Sequence, residues 1–394
     1  MRTSRWNTRL ILAALLSLCL VASAWAEAPK NVVLLIGDGM GFEQVKAASL
    51  YATGKTGGLA FEKHYCGEMA THSLDSYRQK SHATDSAAAA TAMATGHKTE
   101  NRMISRLPDG TEPQTILERL AREGKWTGLV VTCPMTHATP GGFGAHAEKR
   151  TDYTDIADDY FKTSRPNILF GARYASGGGV TEEKAHGAGY DVVANRDEMD
   201  AFLKKFTDGD VPASGPHVSG QFARDGMPWE FDGPTDRPKT HSKNPGCDYT
   251  TAPHLSEMTR AALAVLERSP KGFFLMIEGS MIDWACHENC IERCVAETVE
   301  FAKAFEVVRD WAEDRNDTLV IITADHECGG LWVVKAKGKM PEVFWGRGDH
   351  TGVNVPVYAF GPGADRLEGV IDNTDLFGIM TGQAVPAAAE AVAQ

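Results

Sequence analysis

The stretch Asn31–Gly41, with the sequence NVVLLIGDGMG, joins a short apolar run to an acidic residue set between glycines. Residues Asn31–Ile36 are mostly branched and apolar with no polar alternation, which predicts a strand buried on both faces. Asp38 follows at the carboxyl end of this strand, where open α/β sheets bind their ligands. The glycine spacing is not G-x-G-x-x-G, and a carboxylate would repel a pyrophosphate. Asp38 is therefore a candidate metal ligand.

Four further apolar runs of the same character are spread along the chain. They predict buried strands over Thr127–Thr132, Phe273–Ile277, Thr318–Thr323 and Val355–Phe360. Helical patterns lie between the strands, over Pro113–Arg122, Arg196–Phe206, Leu255–Glu267 and Glu292–Ala312. This alternation predicts an α/β fold, a three-layer sandwich with a large, mostly parallel central sheet and helices on both faces.

The chain has 394 residues, enough for one large α/β domain or two smaller ones. Residues 151–250 contain Gly177-Gly178-Gly179, several prolines and few strong strand patterns. We interpret them as an elaborated segment inserted between core elements of a single domain, residues 27–394, and not as an independent domain.

The amino terminus predicts export. Three arginines precede the apolar run 10–22, and Ala24-Trp25-Ala26 fits a signal-peptidase site. We expect residues 1–26 to be a cleaved signal peptide and the mature protein to be periplasmic or secreted. No other apolar run reaches membrane length, so no membrane partner is expected. The formal charge of −12 becomes −15 on cleavage, because the signal carries three arginines and no acid. Such an acidic chain argues against non-specific nucleic-acid binding.

Seven cysteines remain after removal of the signal peptide. Cys286, Cys290 and Cys294 recur every four residues, which on one helix places them on one face. That face suits a soft metal ion, but export favours one or two disulfides with neighbours such as Cys247. The odd number of cysteines leaves at least one thiol unpaired.

A serine opens the small-residue run Thr84–Gly96, TDSAAAATAMATG. The run predicts an alanine-rich helix, whose first N–H groups and partial positive charge suit an anion. Ser86 in the first turn is either a packed cap residue or a nucleophile. The second role needs a nearby group that takes the serine proton or stabilises its alkoxide.

Carboxylates and imidazoles cluster at the ends of other predicted strands. These candidates are Glu278, Asp283, His287, Asp325, His326 and His350. Asp283 and His287 are four residues apart, so one helical face can present both to a single ion. The motifs H-E-x-x-H, G-x-S-x-G and G-x-x-x-x-G-K-[ST] do not occur in the sequence. Their absence argues against the common metalloprotease, esterase-elbow and P-loop classes.

Taken together, these motifs resemble the alkaline phosphatases. They appear in that family's order, as GDGMG at 37–41, TDSAA at 84–88, THATP at 136–140, EGSMIDWACH at 278–287, TADH at 323–326 and DHTG at 349–352. The similarity runs from Asn31 to about Phe377 and is weakest between 151 and 250. It implies an exported homodimer that hydrolyses phosphate monoesters to an alcohol and inorganic phosphate. It further implies a phosphoserine intermediate, two zinc ions and one magnesium ion.

The resemblance also implies a role for each motif residue. Ser86 is the expected nucleophile and a metal contact, and Arg150, eleven residues after Thr139, is the expected clamp on the phosphate. The zinc that activates the serine is expected on Asp38, Asp325 and His326. The second zinc is expected on Asp283, His287 and His350. The magnesium is expected on Asp38, Thr139 and Glu278. His146 is assigned a structural role.

Elementary chemistry supports this division of ligands. Imidazole and carboxylate donors suit zinc, whereas an all-oxygen set suits magnesium. Two metal ions about 4 Å apart can stabilise both the attacking and the departing oxygen of an in-line displacement. Three divalent ions and Arg150 outweigh the four carboxylates by roughly three charges, so the site would concentrate a phosphate dianion within an acidic protein.

Two residues beside the ligands differ from part of the family. His137, close to Thr139, is a carboxylate in some relatives, and Trp284, next to Asp283, is Lys or His in others. Both are expected near the third ion and the phosphate without binding metal. The sequence therefore leaves the identity of the third ion open.

Two rival functions stay open at the level of sequence. A phosphodiesterase or another phosphoryl-transfer enzyme would share the same core. Relatives that cleave diesters commonly lack the arginine clamp and the third metal, whereas this chain keeps the residues for both. A non-catalytic exported protein that sequesters zinc or phosphate would need the ligands but not the intact Thr84-Asp85-Ser86 run.

Overall fold

The computed structural model describes residues 28–78, 83–174, 178–209, 212, 214–231, 249–336 and 340–384. The predicted signal peptide, residues 1–26, and Cys247 lie outside this part of the chain. Within it, no helix is long and apolar enough to cross a membrane.

The core of the protein is a ten-stranded sheet with the order β14-β2-β13-β8-β1-β7-β3-β4-β6-β5. Its strands are β1 Asn31–Gly37, β2 Tyr65–Ala70, β3 Trp126–Pro134, β4 Ile168–Arg173, β5 Asp191–Val193, β6 Val218–Arg224, β7 Phe273–Gly279, β8 Thr318–Thr323, β13 Val355–Phe360 and β14 Gly369–Asp372. Strand β13 pairs antiparallel with both of its neighbours, and every other pair in the sheet is parallel. The predicted mostly parallel sheet is confirmed.

Two short ladders lie outside the main sheet. One pairs β10, Leu331–Lys335, with β11, Glu342–Trp345, and the other pairs β9, Glu327–Cys328, with β12, His350–Thr351. The second ladder is only two residues long, but it positions one of the predicted ligands.

The helices pack in two groups that cover the two faces of the sheet. One group consists of α1 Phe42–Thr53, α8 Arg196–Asp208, α9 Leu255–Leu266, α10 Met281–His287 and α11 Ile291–Ala312. The other consists of α3 Ser86–Thr95, α4 Ile116–Arg122, α5 Ala138–Gly144, α6 Tyr153–Asp159 and α12 Asp375–Met380. Two shorter helices are α2, Leu74–Arg78, and α7, Glu182–Gly187. The predicted three-layer α/β sandwich is thereby confirmed.

The predicted strands and helices agree with the observed ones within a few residues. Residues 151–250 differ, because they contribute more strands than their sequence pattern predicts. Strands β4, β5 and β6 come from this segment and extend the central sheet to one edge. In β6, Ser219, Gly220 and Gln221 are buried although they interrupt the apolar pattern. Pairing with the two neighbouring strands overrides the weak local propensity.

The three regularly spaced cysteines do not lie on one helix, so they do not share one helical face. Helix α10 ends at His287, and Asn289 adopts a left-handed φ of 51°. Cys290 then caps the start of α11. The Cys286 and Cys294 sulfurs still meet at 3.7 Å. The cysteines of the described residues are all free thiols.

Candidate active site

The candidate site lies at the carboxyl edge of three adjacent central strands. In the sheet register Ile36 of β1 lies opposite both Glu278 of β7 and Thr323 of β8. Parallel strands end at a common edge, so the residues that follow β1, β7 and β8 meet there. Gly39 has a φ of +71°, and a Cβ at this position would lie 2.9 Å from Asp283 Oδ1. The glycine therefore lets the loop after β1 approach helix α10.

Asp283, His287 and His350 converge on one point. His287 Nε2 lies 3.3 Å from Asp283 Oδ2 and 3.1 Å from His350 Nε2. The His350 ring also stacks on the His326 ring, with ring centroids 3.6 Å apart. Asp283 is buried, whereas His287 is exposed over about a third of its side chain, 37%. One helical turn and one strand thus supply two imidazoles and a carboxylate to a partly open position.

Backbone carbonyls orient both imidazoles. His287 Nδ1 lies 2.9 Å from the Gly348 carbonyl, and His350 Nδ1 lies 2.9 Å from the Thr84 carbonyl. A carbonyl can only accept, so each Nδ1 carries a proton, and each Nε2 can donate its electron pair to a metal ion that displaces any proton there. Such outer hydrogen bonds fix the tautomer and orientation of a metal-binding histidine.

A second convergence surrounds His326. Its Nε2 lies 3.2 Å from Asp325 Oδ2, 3.6 Å from Asp38 Oδ1 and 3.3 Å from Ser86 Oγ. His326 and both carboxylates are fully buried. Ligand atoms of Asp38, Asp283 and His326 also lie within 4.8 Å of one another. The two convergences are therefore contiguous, and the serine hydroxyl faces the second one.

Ser86 is the first residue of helix α3, as its sequence position predicts. Asp85 is the N-cap, and its Oδ1 accepts from the Ala88 N–H at 3.1 Å. Every residue of α3 is buried, because alanines let the helix approach α5 closely. The serine is thus held at the positive end of a rigid, buried helix.

Arg150 is linked to the start of helix α3 through Asp85, the residue before Ser86. Its Nη1 donates to Asp85 Oδ2 at 2.9 Å, and its Nη2 lies 3.2 Å from His137 Nε2. Burial and the charge of Arg150 lower the pKa of His137 to about 3, so His137 is neutral and accepts from the guanidinium. Trp284 packs edge-on against the same imidazole at 5.9 Å. His137 thus contacts Arg150 directly, and Trp284 packs against His137.

Asp38, Thr139 and Glu278 form the third predicted set, and all three are fully buried. Glu278 Oε2 lies 3.6 Å from the thiol of Cys133, a neighbour that the sequence did not single out. The set offers oxygen donors only.

Four carboxylates crowd this edge of the sheet. Burial and Asp325 raise the pKa of Glu278 to about 8, and burial and Asp283 raise that of Asp325 to about 6. Burial and the other three carboxylates also raise the pKa of Asp38. Burial would raise the pKa of Asp283 as well, but its hydrogen bond to His287 and the nearby imidazoles outweigh that effect and lower it. So much buried negative charge calls for cations.

Unsatisfied oxygens mark the same residues. Among the described residues, six such buried oxygens belong to predicted ligands, namely Asp38 Oδ1 and Oδ2, Thr139 Oγ1, Glu278 Oε1, Asp283 Oδ1 and Asp325 Oδ2. Buried polar atoms normally have partners, so unpaired oxygens concentrated in one place indicate a cation-binding site. The donor chemistry fits zinc at the two imidazole sets and magnesium at the all-oxygen set.

One donor at the site was not predicted from the sequence. The Cys328 sulfur belongs to the group of ligating atoms formed with Asp283, His287 and His350. Cys328 lies two residues after His326, but neither the TADH motif nor the spacing of the cysteines indicated that its thiol lies among the ligands. His146 lies apart from the ligand sets, between the Ser105 carbonyl and Glu118.

Comparison with known proteins identifies the relatives of this chain. The family model for alkaline phosphatase matches residues 29–169 and 160–339. Alkaline phosphatase 3 of Bacillus subtilis is 31% identical over 88% of this chain and 87% of its own length. Streptomycin-6-phosphate phosphatase of Streptomyces griseus is 34% identical over 89% and 90%.

Solved structures of alkaline phosphatases have the same fold as this chain. Alkaline phosphatase from the Antarctic bacterium TAB5 has a TM-score of 0.74 and 27% identity, covering 91% of this chain and all of that chain. A variant of that enzyme with magnesium bound in its M3 site has a TM-score of 0.72 and 28% identity, covering 90% and 97%. The cold-active alkaline phosphatase of Shewanella sp. has a TM-score of 0.73 and 27% identity, covering 89% and 98%.

Proposed function

The chain belongs to the alkaline phosphatase family and hydrolyses phosphate monoesters, and from this premise we propose that it works through a phosphoserine at Ser86 with two zinc ions and one magnesium ion. One observation carries the proposal. The Ser86 hydroxyl lies 3.3 Å from His326 Nε2, which in turn lies within 3.6 Å of two buried carboxylates. This arrangement brings the serine to a ligand set at the positive end of a helix.

The ligand sets have distinct assignments. Asp38, Asp325 and His326, with Ser86, would hold the zinc nearest the serine. Asp283, His287 and His350 would hold the second zinc. Asp38, Thr139 and Glu278 would hold magnesium, because all three donors are oxygen atoms. When bound, these ions stabilise the charge on the attacking and departing oxygens.

The chain's own residues position the reacting groups. Helix α3 holds the Ser86 hydroxyl, whose oxygen attacks phosphorus while the bond to the alcohol oxygen breaks and the serine proton passes to solvent. The departing alkoxide takes a proton from water, and a second water then hydrolyses the phosphoserine to inorganic phosphate and the free serine. Arg150 donates N–H groups to two phosphate oxygens in a geometry that lysine cannot reproduce.

The preference for monoesters has support in the same contacts. Arg150 is oriented by Asp85 and His137, and the third donor set is intact. A monoester has three unsubstituted oxygens and a diester only two, so a site that binds two of them through Arg150 and a third through the metal ions favours a monoester. We expect release of alcohol from an aryl phosphate monoester to exceed that from the matching diester by orders of magnitude. Equal rates would assign the site to a phosphodiesterase.

Ser86→Ala tests the nucleophile directly. We expect it to abolish transfer of labelled phosphate to the protein while the metal content stays unchanged. Ser49→Ala is the matched control, because Ser49 is also a buried helical serine, but its hydroxyl donates to the Lys55 carbonyl and accepts from the Gly58 N–H, away from the ligand sets. Turnover of Ser86→Ala within tenfold of the unmodified enzyme would refute the assignment.

We further propose export and a homodimer. The amino-terminal pattern of residues 1–26 supports export to the periplasm or medium, with release of phosphate for uptake as the role. Mass spectrometry of the secreted protein tests cleavage after Ala26.

Sedimentation analysis of the purified enzyme tests the homodimer, and a monomeric mass at micromolar concentration would refute it.

A further inference from the structure

A cysteine thiol lies among the ligands of the second proposed zinc. One ligating atom each from Asp283, His287, His350 and Cys328 lies within 4.8 Å of the other three. The first three residues form the Asp-His-His set described above. Cys328 has a fully buried side chain and is an additional, soft donor at the same point.

The backbone fixes the direction of this thiol. In the two-residue ladder of β9 and β12, Cys328 lies directly opposite His350. Directly opposed residues of an antiparallel pair project to the same face, so the thiol and the imidazole are neighbours. The Cys328 N–H donates to the Gly39 carbonyl at 3.1 Å, and its carbonyl accepts from Gln44 Nε2 at 2.7 Å. Hydrogen bonds on both sides of the Cα therefore fix the Cys328 backbone, and with it the position from which the thiol projects.

The neighbouring thiols have other contacts. Cys286 lies 3.7 Å from the sulfur of Cys294 and 3.9 Å from Gln44 Nε2. Neither belongs to a group of ligating atoms in the described part of the chain. Cys133 faces Glu278 at the third donor set. Among the described cysteines, Cys328 alone joins two imidazoles and a carboxylate.

We propose that the Cys328 thiolate is a fourth protein ligand of the metal ion bound by Asp283, His287 and His350. This inference rests on the zinc assignment made under the proposed function. Zinc accepts this combination of sulfur, nitrogen and oxygen, binds cysteine as the thiolate, and can expand to five ligands when a phosphate oxygen joins it. Metal binding therefore releases the thiol proton to solvent.

The additional ligand changes the character of this site. A thiolate favours zinc, and softer ions such as cadmium, over magnesium and manganese. We expect the ion at this site to resist removal by an oxygen-donor chelator about tenfold longer than in a variant without the thiol. This is the scale on which changes around a metal site alter its affinity.

Cobalt substitution tests the proposal. We expect the cobalt-loaded enzyme to show a near-ultraviolet sulfur-to-cobalt charge-transfer band. Cys328→Ser should lose the band, and Cys294→Ser, which removes an equally buried thiol from α11, should keep it. Absence of the band from the unmodified enzyme, or its persistence in Cys328→Ser, would overturn the proposal.

A second measurement needs no variant and covers the case in which Cys328→Ser does not fold. X-ray absorption at the zinc edge of the unmodified enzyme should contain a zinc–sulfur distance of about 2.3 Å. A nitrogen- and oxygen-only shell would overturn the inference. Metal content and phosphate release are measured on the same sample. If metal binds and phosphate is released without a sulfur shell, this inference fails alone, whereas a protein that binds no zinc refutes the proposed metal centre as well.

Discussion

Asp85 joins the start of helix α3 to the arginine beside the serine. One carboxylate oxygen accepts from the N–H groups of Ala88 and Arg102, and the other accepts from Arg150. Burial opposes its ionisation, but Arg150 and the two backbone donors outweigh burial and lower the pKa of Asp85. The residue that caps the helix thus also binds the guanidinium of Arg150.

Arg150→Ala should weaken capture of the phosphate. A hydrogen bond to a charged group is worth about 1.5–3 kcal/mol, so kcat/KM for an aryl phosphate should fall about 10- to 100-fold. Inhibition by inorganic phosphate should weaken in parallel, because the product uses the same contacts. Steady-state kinetics with phosphate as inhibitor measures both effects.

Arg150→Lys provides the control for charge. Lysine keeps the positive charge but cannot make two parallel hydrogen bonds, so it should recover only part of the loss. If the lysine variant recovered the full kcat/KM, Arg150 would not bind two phosphate oxygens at once. Its role would then be long-range attraction of the anion.

At the scale of elements, close packing of small residues positions the serine. Helix α3 approaches α5 so closely that a Cβ at Gly142 would lie 2.7 Å from the Ala90 Cβ and 3.2 Å from the backbone of α3. The alanine-rich run therefore serves packing along its length and chemistry at its first turn. A larger residue at this contact has to move the whole helix.

Gly142→Ala should lower the free energy of unfolding by about 1–3 kcal/mol, the usual cost of overpacking. It should also lower kcat, because α3 carries Ser86. Gly187→Ala is the matched control, since a Cβ at the end of α7 meets no atom within 4 Å. Urea unfolding and steady-state assays measure the two effects. Equal stability of the two variants would show that α3 and α5 separate without cost.

At the scale of the whole molecule, cations and protons compete for the same carboxylates. Without metal, burial and neighbouring charge raise the pKa of Glu278 to about 8, and the hydrogen bond to Asp283 raises that of His287 to about 9. Each group holds its proton more tightly in the folded state than in the unfolded chain. The contribution of these two protonated groups to the free energy of unfolding is therefore full at low pH, and it is lost as the pH rises through their folded pKa values.

The metal-free protein should accordingly lose stability between about pH 6.5 and 9, the interval from the ordinary pKa of histidine to that of folded His287. The metal-loaded protein should not, because the ions replace the protons on these groups. Urea unfolding at several pH values, with and without prior chelation, measures the difference. A metal-free protein whose free energy of unfolding rises over this interval would contradict the prediction.

The sequence by itself determined the five apolar strands, the helices between them and the motif residues at the strand ends. It could do so because burial of a strand is a local pattern and parallel strands end at one edge. Only the tertiary structure decided that Val218–Arg224, with its buried serine and glutamine, lies in the sheet. Only the tertiary structure decided, too, that Cys328 lies opposite His350 and that Arg150 contacts Asp85. Contacts between residues distant in the chain depend on strand register and helix packing, which no local pattern encodes.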